Sequence, residues 1–113
     1  MRIIYPDREP EDRGQTDLPF DEAERILGGE VELLPLPNRQ TMLLCRQGGH
    51  YNPNATNVWQ QIEDARARQA GTFPHPVPQV HGTAILLWTT DRLLMRTQPR
   101  SITDWRWGAP KEN

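Results

Sequence analysis

The stretch Leu27-Gly28-Gly29-Glu30-Val31-Glu32-Leu33-Leu34-Pro35 decides the fold, because it joins the end of a helix directly to the start of a strand. Glycine readily reaches the left-handed backbone conformation that ends a helix, so the glycine pair predicts a helix C-terminus. Val31 and Leu33 alternate with glutamates, which indicates a strand with one apolar face, and Pro35 ends that strand. The stretch therefore predicts a small domain that mixes helices and strands.

The residues before this step predict a short strand, a loop and a helix. Residues 2–5 form an apolar run closed by Pro6, which favours an edge strand because proline cannot donate to a sheet. Residues 7–15 are charged or turn-forming, and they are predicted to form a mobile loop. Asp17 is expected to cap the helix that follows, whose apolar stripe ends at Leu27.

The residues after the step predict a hairpin and a long helix. The first strand turns at residues 37–40 and returns as a second strand over residues 41–46. Asn52-Pro53 is typical of a helix start, because asparagine accepts a hydrogen bond from the first turn and proline fits there without strain. Apolar residues then recur at helical spacing until Gly71, which makes this the strongest helix prediction in the chain.

The last third of the chain predicts an extended bridge, two strands and a tail. Prolines at every second position of residues 74–78 favour a polyproline-like conformation. Residues 79–88 are largely apolar and uncharged, which favours a central strand, and Gly82 within them indicates a bulge or a close backbone approach. Residues 92–97 form the last predicted strand.

These elements predict an α+β fold, a single small domain in which two helices cover one face of a mostly antiparallel sheet of about four to five strands. The domain is expected to span residues 1–97. A C-terminal tail, residues 98–113, is expected to dock through its tryptophans, which are costly to leave in water. With 113 residues and a hydrophobic share of 35%, the core is small, so we also expect a homo-oligomer that buries further apolar surface.

Charge and cysteine content exclude several classes of protein. The formal net charge of −2 provides no broad positive field, so we expect no nucleic-acid partner. Cys45 is the only cysteine, which excludes an intrachain disulfide and favours a reducing, cytoplasmic location. The longest apolar run, residues 84–88, is too short to cross a bilayer, so no membrane association is expected.

No sequence motif for catalysis or cofactor binding stands in the chain. A serine nucleophile elbow, a phosphate-binding glycine loop and a dinucleotide fingerprint are all absent from the sequence. The spacing of Cys45, His50, His75, His81 and Asp91 puts no two ligands on one helical face or in one tight knuckle. We therefore predict no catalytic residue, no metal and no cofactor.

The densest group of hydrogen-bonding side chains lies at the start of the long helix, where backbone N–H groups can receive an anion. A nucleotide-like ligand suits this group, since Tyr51 can stack on a base and Arg46 can pair with a phosphate. The structural alternative is that Asn52 only caps the helix. The tail offers an aromatic and basic pair that can close a pocket, clamp a neighbouring subunit or pack on the sheet. The predicted ligand-binding residues are Arg46, His50, Tyr51, Asn52, Asn54, Thr56, Asn57, Trp105 and Arg106.

Five short motifs follow one another in a fixed order between residues 17 and 87. They are Leu27-Gly28-Gly29, Val31-Glu32, Cys45-Arg46-Gln47-Gly48, Asn52-Pro53-Asn54-Ala55-Thr56 and Val80-His81-Gly82. Together they resemble a small domain family of unknown function, common in actinobacterial genomes, their phages and mobile elements, with the pattern Val-Gly-Gly-x-Ile-Glu, Asn-Glu-Glu-Gly, Asn-Pro-x-Ala-Thr and Val-x-Gly. Arg46 and Gln47 stand where that family carries paired glutamates, so a role of those carboxylates in metal binding or acid–base chemistry does not transfer.

The resemblance implies an analogy with small phage proteins that oligomerise and sequester nucleotide immune signals. On this analogy we expect a non-enzymatic small-ligand binder, a phage or mobile-element protein that sequesters a nucleotide-derived immune signal as an anti-defence sponge. Two alternatives remain open. One is a nucleotide hydrolase. The other is a protein-interaction module that inhibits a host protein through an acidic surface formed by Glu30, Glu32, Glu63 and Asp64.

Overall fold

The described residues of the computed structural model are 1–95, and they form an α+β domain with two helices, as the sequence predicts. The elements are β1 Arg2–Ile4, β2 Glu11–Asp12, β3 Asp17–Pro19, α1 Phe20–Leu27, β4 Val31–Pro35, β5 Thr41–Cys45, α2 Pro53–Ala70, β6 Ala84–Leu87 and β7 Arg92–Leu94. The predicted tail, with Trp105 and Arg106, lies outside the described residues. Neither described helix is both long and apolar enough to cross a membrane.

Within residues 1–95 the main sheet has five strands in the order β2-β1-β6-β5-β4, and every neighbouring pair is antiparallel. The predicted hairpin is confirmed, with Val31 opposite Cys45 and Pro35 opposite Thr41. β6 lies at the centre of the sheet, as its apolar composition predicts. It is shorter than predicted, because residues 79–83 lead into it without regular strand pairing.

Two expectations about the first fifteen residues are wrong. β1 is not an edge strand, because Arg2 lies opposite Leu86 on one side and opposite Asp12 on the other. The segment of residues 7–15 is not a continuous loop, since it contains β2. Nε and Nη2 of Arg2 donate hydrogen bonds to the Asp12 carboxylate, at 2.6 and 3.1 Å. This ion pair joins β1 to β2. A pair between residues ten positions apart leaves no periodic signal in the sequence.

The expected cap of α1 is also wrong. Asp17 lies in β3, which pairs in parallel with β7 to form a separate two-stranded sheet. Its carboxylate oxygen lies 3.1 Å from Nε of Arg92 in β7 instead of bonding the helix. α1 begins after Pro19, and no side chain of the described residues caps it. The predicted last strand is therefore present as β7, but it joins β3 and not the main sheet.

The face of the sheet toward α1 carries the larger apolar cluster. Its buried members come from the chain start, β1, β3, α1 and the central strands, and they are Met1, Ile3, Leu18, Ala23, Leu27, Val31, Leu43, Cys45, Ile85 and Leu87. α1 ends where predicted, at Gly28, which has the left-handed φ of 82°. The helix therefore ends at Gly28, and the chain continues directly into β4.

The opposite face carries a second cluster, and α2 covers it. The buried members are Ile4, Leu36, Met42, Ala55, Val80, Ala84 and Leu86. Adjacent residues of a strand point to opposite faces, so Met42 faces α2 while Leu43 faces α1. The expectation that both helices lie on one face is therefore wrong. Unbroken apolar runs in β5 and β6 are the sequence signal of a sheet covered on both sides.

Gly82 lies against the backbone that leaves β5, as the predicted close approach requires. A Cβ atom at this position would lie 2.9 Å from the carbonyl oxygen of Gly48, and Gly82 has a φ of 85°. Its N–H donates to the carbonyl oxygen of His50 at 2.7 Å. This contact fixes the start of α2 next to the approach to β6.

Candidate functional site

Asn52 is fully buried and joins the start of α2 to the sheet. Its side-chain oxygen accepts a hydrogen bond from the N–H of Ala55 at 3.0 Å. Its amide nitrogen donates to the carbonyl oxygens of Ile4 and Gly82, at 3.0 and 2.8 Å. The backbone N–H of Asn52 donates to the carbonyl oxygen of Val80 at 2.7 Å. Asn52 is thus a helix cap, as the structural alternative states, and its amide is fully used inside the protein.

Thr56 and Asn54 also bond to the protein's own backbone. The Thr56 hydroxyl donates to the carbonyl oxygen of Asn52 at 2.8 Å and accepts from the N–H of Val80 at 2.9 Å. The exposed Asn54 amide donates to the carbonyl oxygen of Tyr5 at 2.9 Å. The polar sequence at this helix start therefore serves largely to connect α2 with β1 and with the approach to β6.

His50, Tyr51 and Asn57 are exposed around the same helix start. The Tyr51 ring lies 5.9 Å from the imidazole of His81, tilted by 57°. Arg46 is placed differently. It lines a shallow depression beside α1 and its Nε lies 3.6 Å from a carboxylate oxygen of Glu30. The predicted ligand residues of the described chain thus gather at the start of α2, except for Arg46.

A groove lies between α2 and the sheet and has a volume of about 430 Å³. We call it the α2 groove, and its lining residues are Arg2, Pro37, Asn38, Gln40, Val58, Gln61, Ile62, Ala65, Arg66, Gln69, Leu86 and Trp88. Apolar side chains from α2 and β6 contribute much of the lining. Trp88 lies two residues beyond Leu86 and is 39% exposed, so an aromatic surface faces solvent at the groove.

Side-chain amides from two parts of the chain face this groove, from Asn38, Gln40, Gln61 and Gln69. The amides of Asn38 and Gln40 bond each other in the hairpin turn between β4 and β5. Gln61 and Gln69 lie two helical turns apart on α2, and neither side chain has a hydrogen-bond partner within residues 1–95. An amide both donates and accepts, so these side chains can bind the polar edge of a heterocycle.

Two arginines at the groove are each held by a carboxylate. Arg2 binds Asp12, and Arg66 binds Glu63 through Nε and Nη2 at 2.8 and 2.6 Å. These hydrogen bonds raise the pKa of both arginines. In both pairs, Nη1 of the arginine has no partner among the described residues, so it can still donate to a ligand. Because each positive charge is balanced, the groove suits a ligand with few charges better than a polyphosphate.

Glu63 anchors the proline-rich bridge to α2. Its carboxylate, 9% exposed, binds Arg66 and accepts a hydrogen bond from the backbone N–H of His75 at 2.8 Å. The Arg66 guanidinium, and then the His75 N–H, lower the pKa of Glu63 to about 2. Because Glu63 is buried, it does not contribute to the expected acidic surface. The neighbouring Asp64 accepts a hydrogen bond from Gln60.

A second groove, of about 300 Å³, lies on the other side of α2 and reaches β4. We call it the β4 groove, and apolar side chains of Leu34, Leu44 and Trp59 contribute to its lining. The buried Cys45 also borders it, and its thiol donates to the side-chain oxygen of Gln47 at 3.4 Å. This groove therefore offers an apolar surface beside an edge strand.

Sequence reasoning missed the α2 groove, because a groove between distant elements appears only once the chain is folded. The signal on α2 itself is the recurrence of Gln61, Ala65 and Gln69 every four residues, alongside the apolar stripe. Among residues 1–95, no three His, Cys, Asp or Glu side chains gather closely enough to hold a metal ion.

Comparisons with known proteins identify no relative. No family model matches the chain, and no curated protein or solved structure matches it significantly. Function is therefore inferred from the geometry of the described residues, and chiefly from the α2 groove.

Proposed function

We propose that this protein is a non-enzymatic binder of a small nucleotide-like ligand, which it holds in the α2 groove. The observation that carries this proposal is the combination of an exposed Trp88, unpaired amides on α2 and two oriented arginines around one cavity. The ligand class is the one that the sequence indicates. The site differs, because Asn52 and Thr56 already bond within the protein.

The groove matches the chemistry of a base with a ribose and few phosphates. Its volume of about 430 Å³ falls within the size of small-molecule sites, about 300 to 1,000 Å³. A base can stack on Trp88, a contact worth about 1–3 kcal/mol at comparable sites. Gln61 and Gln69 can bind its polar edge, and Nη1 of Arg66 can bind a phosphate oxygen without a change in the Glu63 pair.

The biological role that fits such binding is sequestration. A phage or mobile-element protein in the host cytoplasm that binds a nucleotide-derived immune signal without converting it acts as an anti-defence sponge. The family resemblance and the small size of the chain support this role, and a homo-oligomer would multiply the number of sites in one particle.

Calorimetric titration of the full chain with cyclic ADP-ribose isomers and cyclic dinucleotides tests the proposal. We expect saturable heat with at least one of these compounds. Trp88→Ala should weaken that binding about tenfold or more, because the stacking surface is lost. Tyr51→Ala is the matched control, since it removes an exposed aromatic ring at the start of α2, outside the α2 groove.

The outcomes separate the candidate functions. Absence of heat with every compound would overturn the proposal. Loss of binding in Tyr51→Ala but not in Trp88→Ala would move the site to the helix start. Chromatography of the recovered ligand distinguishes a binder, which returns it unchanged, from the nucleotide hydrolase.

A further inference from the structure

The two edges of the main sheet differ in how well they are protected against pairing with another strand. β2 has two residues, both charged, and each is held in an ion pair, Glu11 with Arg13 and Asp12 with Arg2. A short, charged edge of this kind resists strand addition. β4 has five residues, three of them leucine or valine, and its outer side has no partner strand among the described residues.

The ladder between β4 and β5 fixes which backbone groups of β4 point outward. The N–H of Arg46 donates to the carbonyl oxygen of Glu30, and the N–H of Leu36 donates to that of Gln40, both at 2.8 Å. In an antiparallel ladder, hydrogen-bonded pairs alternate with pairs that are not bonded to each other. The backbone groups that face away from β5 are therefore those of Val31, Leu33 and Pro35.

We propose that β4 pairs antiparallel with β4 of a second copy, so that two sheets join into one across a two-fold axis at Leu33. In this register Leu33 exchanges both backbone hydrogen bonds with its own copy. The N–H of Val31 donates to the carbonyl oxygen of Pro35 in the other copy, and the reverse bond cannot form because proline has no N–H. The Leu33 side chain, 52% exposed in the single chain, meets its equivalent across the axis.

The charges of β4 select this register and so favour a second copy of the same strand. An axis at Val31 places Glu32 opposite Glu30, and an axis at Glu32 places that residue opposite itself, which is unfavourable in both cases. An axis at Leu34 pairs Leu33 with Pro35, which accepts a hydrogen bond but cannot return one. An axis at Pro35 pairs two prolines at the centre, and neither has an N–H to donate. With the axis at Leu33, each Glu32 lies opposite Leu34, so the outward groups of β4 form four hydrogen bonds without placing two glutamates opposite each other.

The inference is independent of the ligand, because none of the outward groups of β4 lines the α2 groove. Its test is the mass of the full chain in solution by sedimentation equilibrium. We expect twice the chain mass of 13.1 kDa for the native protein. Leu33→Lys places two ammonium groups face to face and should raise the dimer dissociation constant at least about tenfold. Leu94→Lys, a 40% exposed leucine on β7, is the matched control and should remain dimeric.

A second variant keeps the test decisive if Leu33→Lys does not fold. Paired residues that exchange both hydrogen bonds lie about 5.5 Å apart between Cα atoms, a distance that a disulfide can span. Leu33→Cys should therefore yield a covalent dimer on mild oxidation, and Leu94→Cys should not. A native chain that stays monomeric at high concentration would overturn the proposal. A native dimer would also overturn it if Leu33→Lys does not weaken the dimer and Leu33→Cys does not form the crosslink.

Discussion

The two faces of the main sheet are covered in different ways. α1 lies on its face through apolar contacts, with Ala23 and Leu27 packed into one continuous cluster. α2 places few fully buried side chains on the other face. Asn52 joins its start to β1, and Glu63 in its middle joins it to the proline-rich bridge. Side chains of α2 that are only partly buried leave space beside the helix. Both grooves that flank α2 lie on the face that this helix covers.

The largest effect that we predict is on the free energy of unfolding, and it distinguishes two neighbouring leucines of β5 that point to opposite faces of the sheet. Leu43 is completely buried under α1, while Leu44 is partly exposed and borders the β4 groove. Leu43→Ala should reduce the free energy of unfolding by about 3 to 5 kcal/mol, because it leaves a cavity in a closed core. Leu44→Ala should cost only about 1 kcal/mol. Urea denaturation measures both, and equal losses would show that the two faces are packed alike.

The next effect concerns the polar attachment at the start of α2. Asn52→Ala removes the cap and leaves the carbonyl oxygens of Ile4 and Gly82 without a donor. We expect a loss of about 2 to 3 kcal/mol in the free energy of unfolding. Asn57→Ala, an exposed amide in the first turns of the same helix, is the control and should change it by less than about 0.5 kcal/mol. Similar losses in both variants would contradict the anchoring role of Asn52.

Acid should weaken the attachment of the proline-rich bridge to α2. The pKa of Glu63 is about 2 in the folded protein, against 4.5 for an unperturbed glutamate. A lowered pKa stabilises the fold fully above pH 4.5, and that contribution is lost as the pH falls from 4.5 toward 2. Glu63→Gln lacks it at every pH. The difference in melting temperature between the native protein and this variant should therefore shrink between about pH 6 and pH 3.

Thermal melts at several pH values measure this difference and remove the effects of other carboxylates, which both proteins share. Glu32→Gln is the control for the loss of one carboxylate, because Glu32 is exposed and has no ion pair among the described residues. A melting difference for Glu63→Gln that stays constant with pH would contradict the proposed attachment.

Local signals in the sequence predicted the parts of the fold that local physics controls. Asn52 and Gly71 mark the ends of α2, and Gly28 ends α1, because caps and left-handed turns depend on a few adjacent residues. The long-range pairs were not predictable in this way. Arg92 binds Asp17 from a position 75 residues later in the chain, and that pair replaces the expected helix cap.

The candidate site shows the same limit. The sequence marked the polar start of α2 correctly as a helix cap, which was the structural alternative. It did not reveal the α2 groove, because Trp88 and Gln61 come from elements that meet only through the fold. The types of residue in a sequence indicate which class of ligand it can bind. The position of the binding site depends on tertiary contacts and is not visible in the sequence.

The smallest effect that we predict is that of replacing Arg46, which lies outside the α2 groove. Its pair with Glu30 is exposed on both sides, and the closest N–O distance is 3.6 Å. Arg46→Ala should therefore change the free energy of unfolding by less than about 0.5 kcal/mol. Ligand affinity measured by calorimetry should also remain unchanged, since Arg46 lies beside α1 and outside the α2 groove. A tenfold loss of affinity in this variant would instead place the phosphate of the ligand at Arg46. The face that α1 closes would then contribute to function, and the contrast between the two faces would no longer hold.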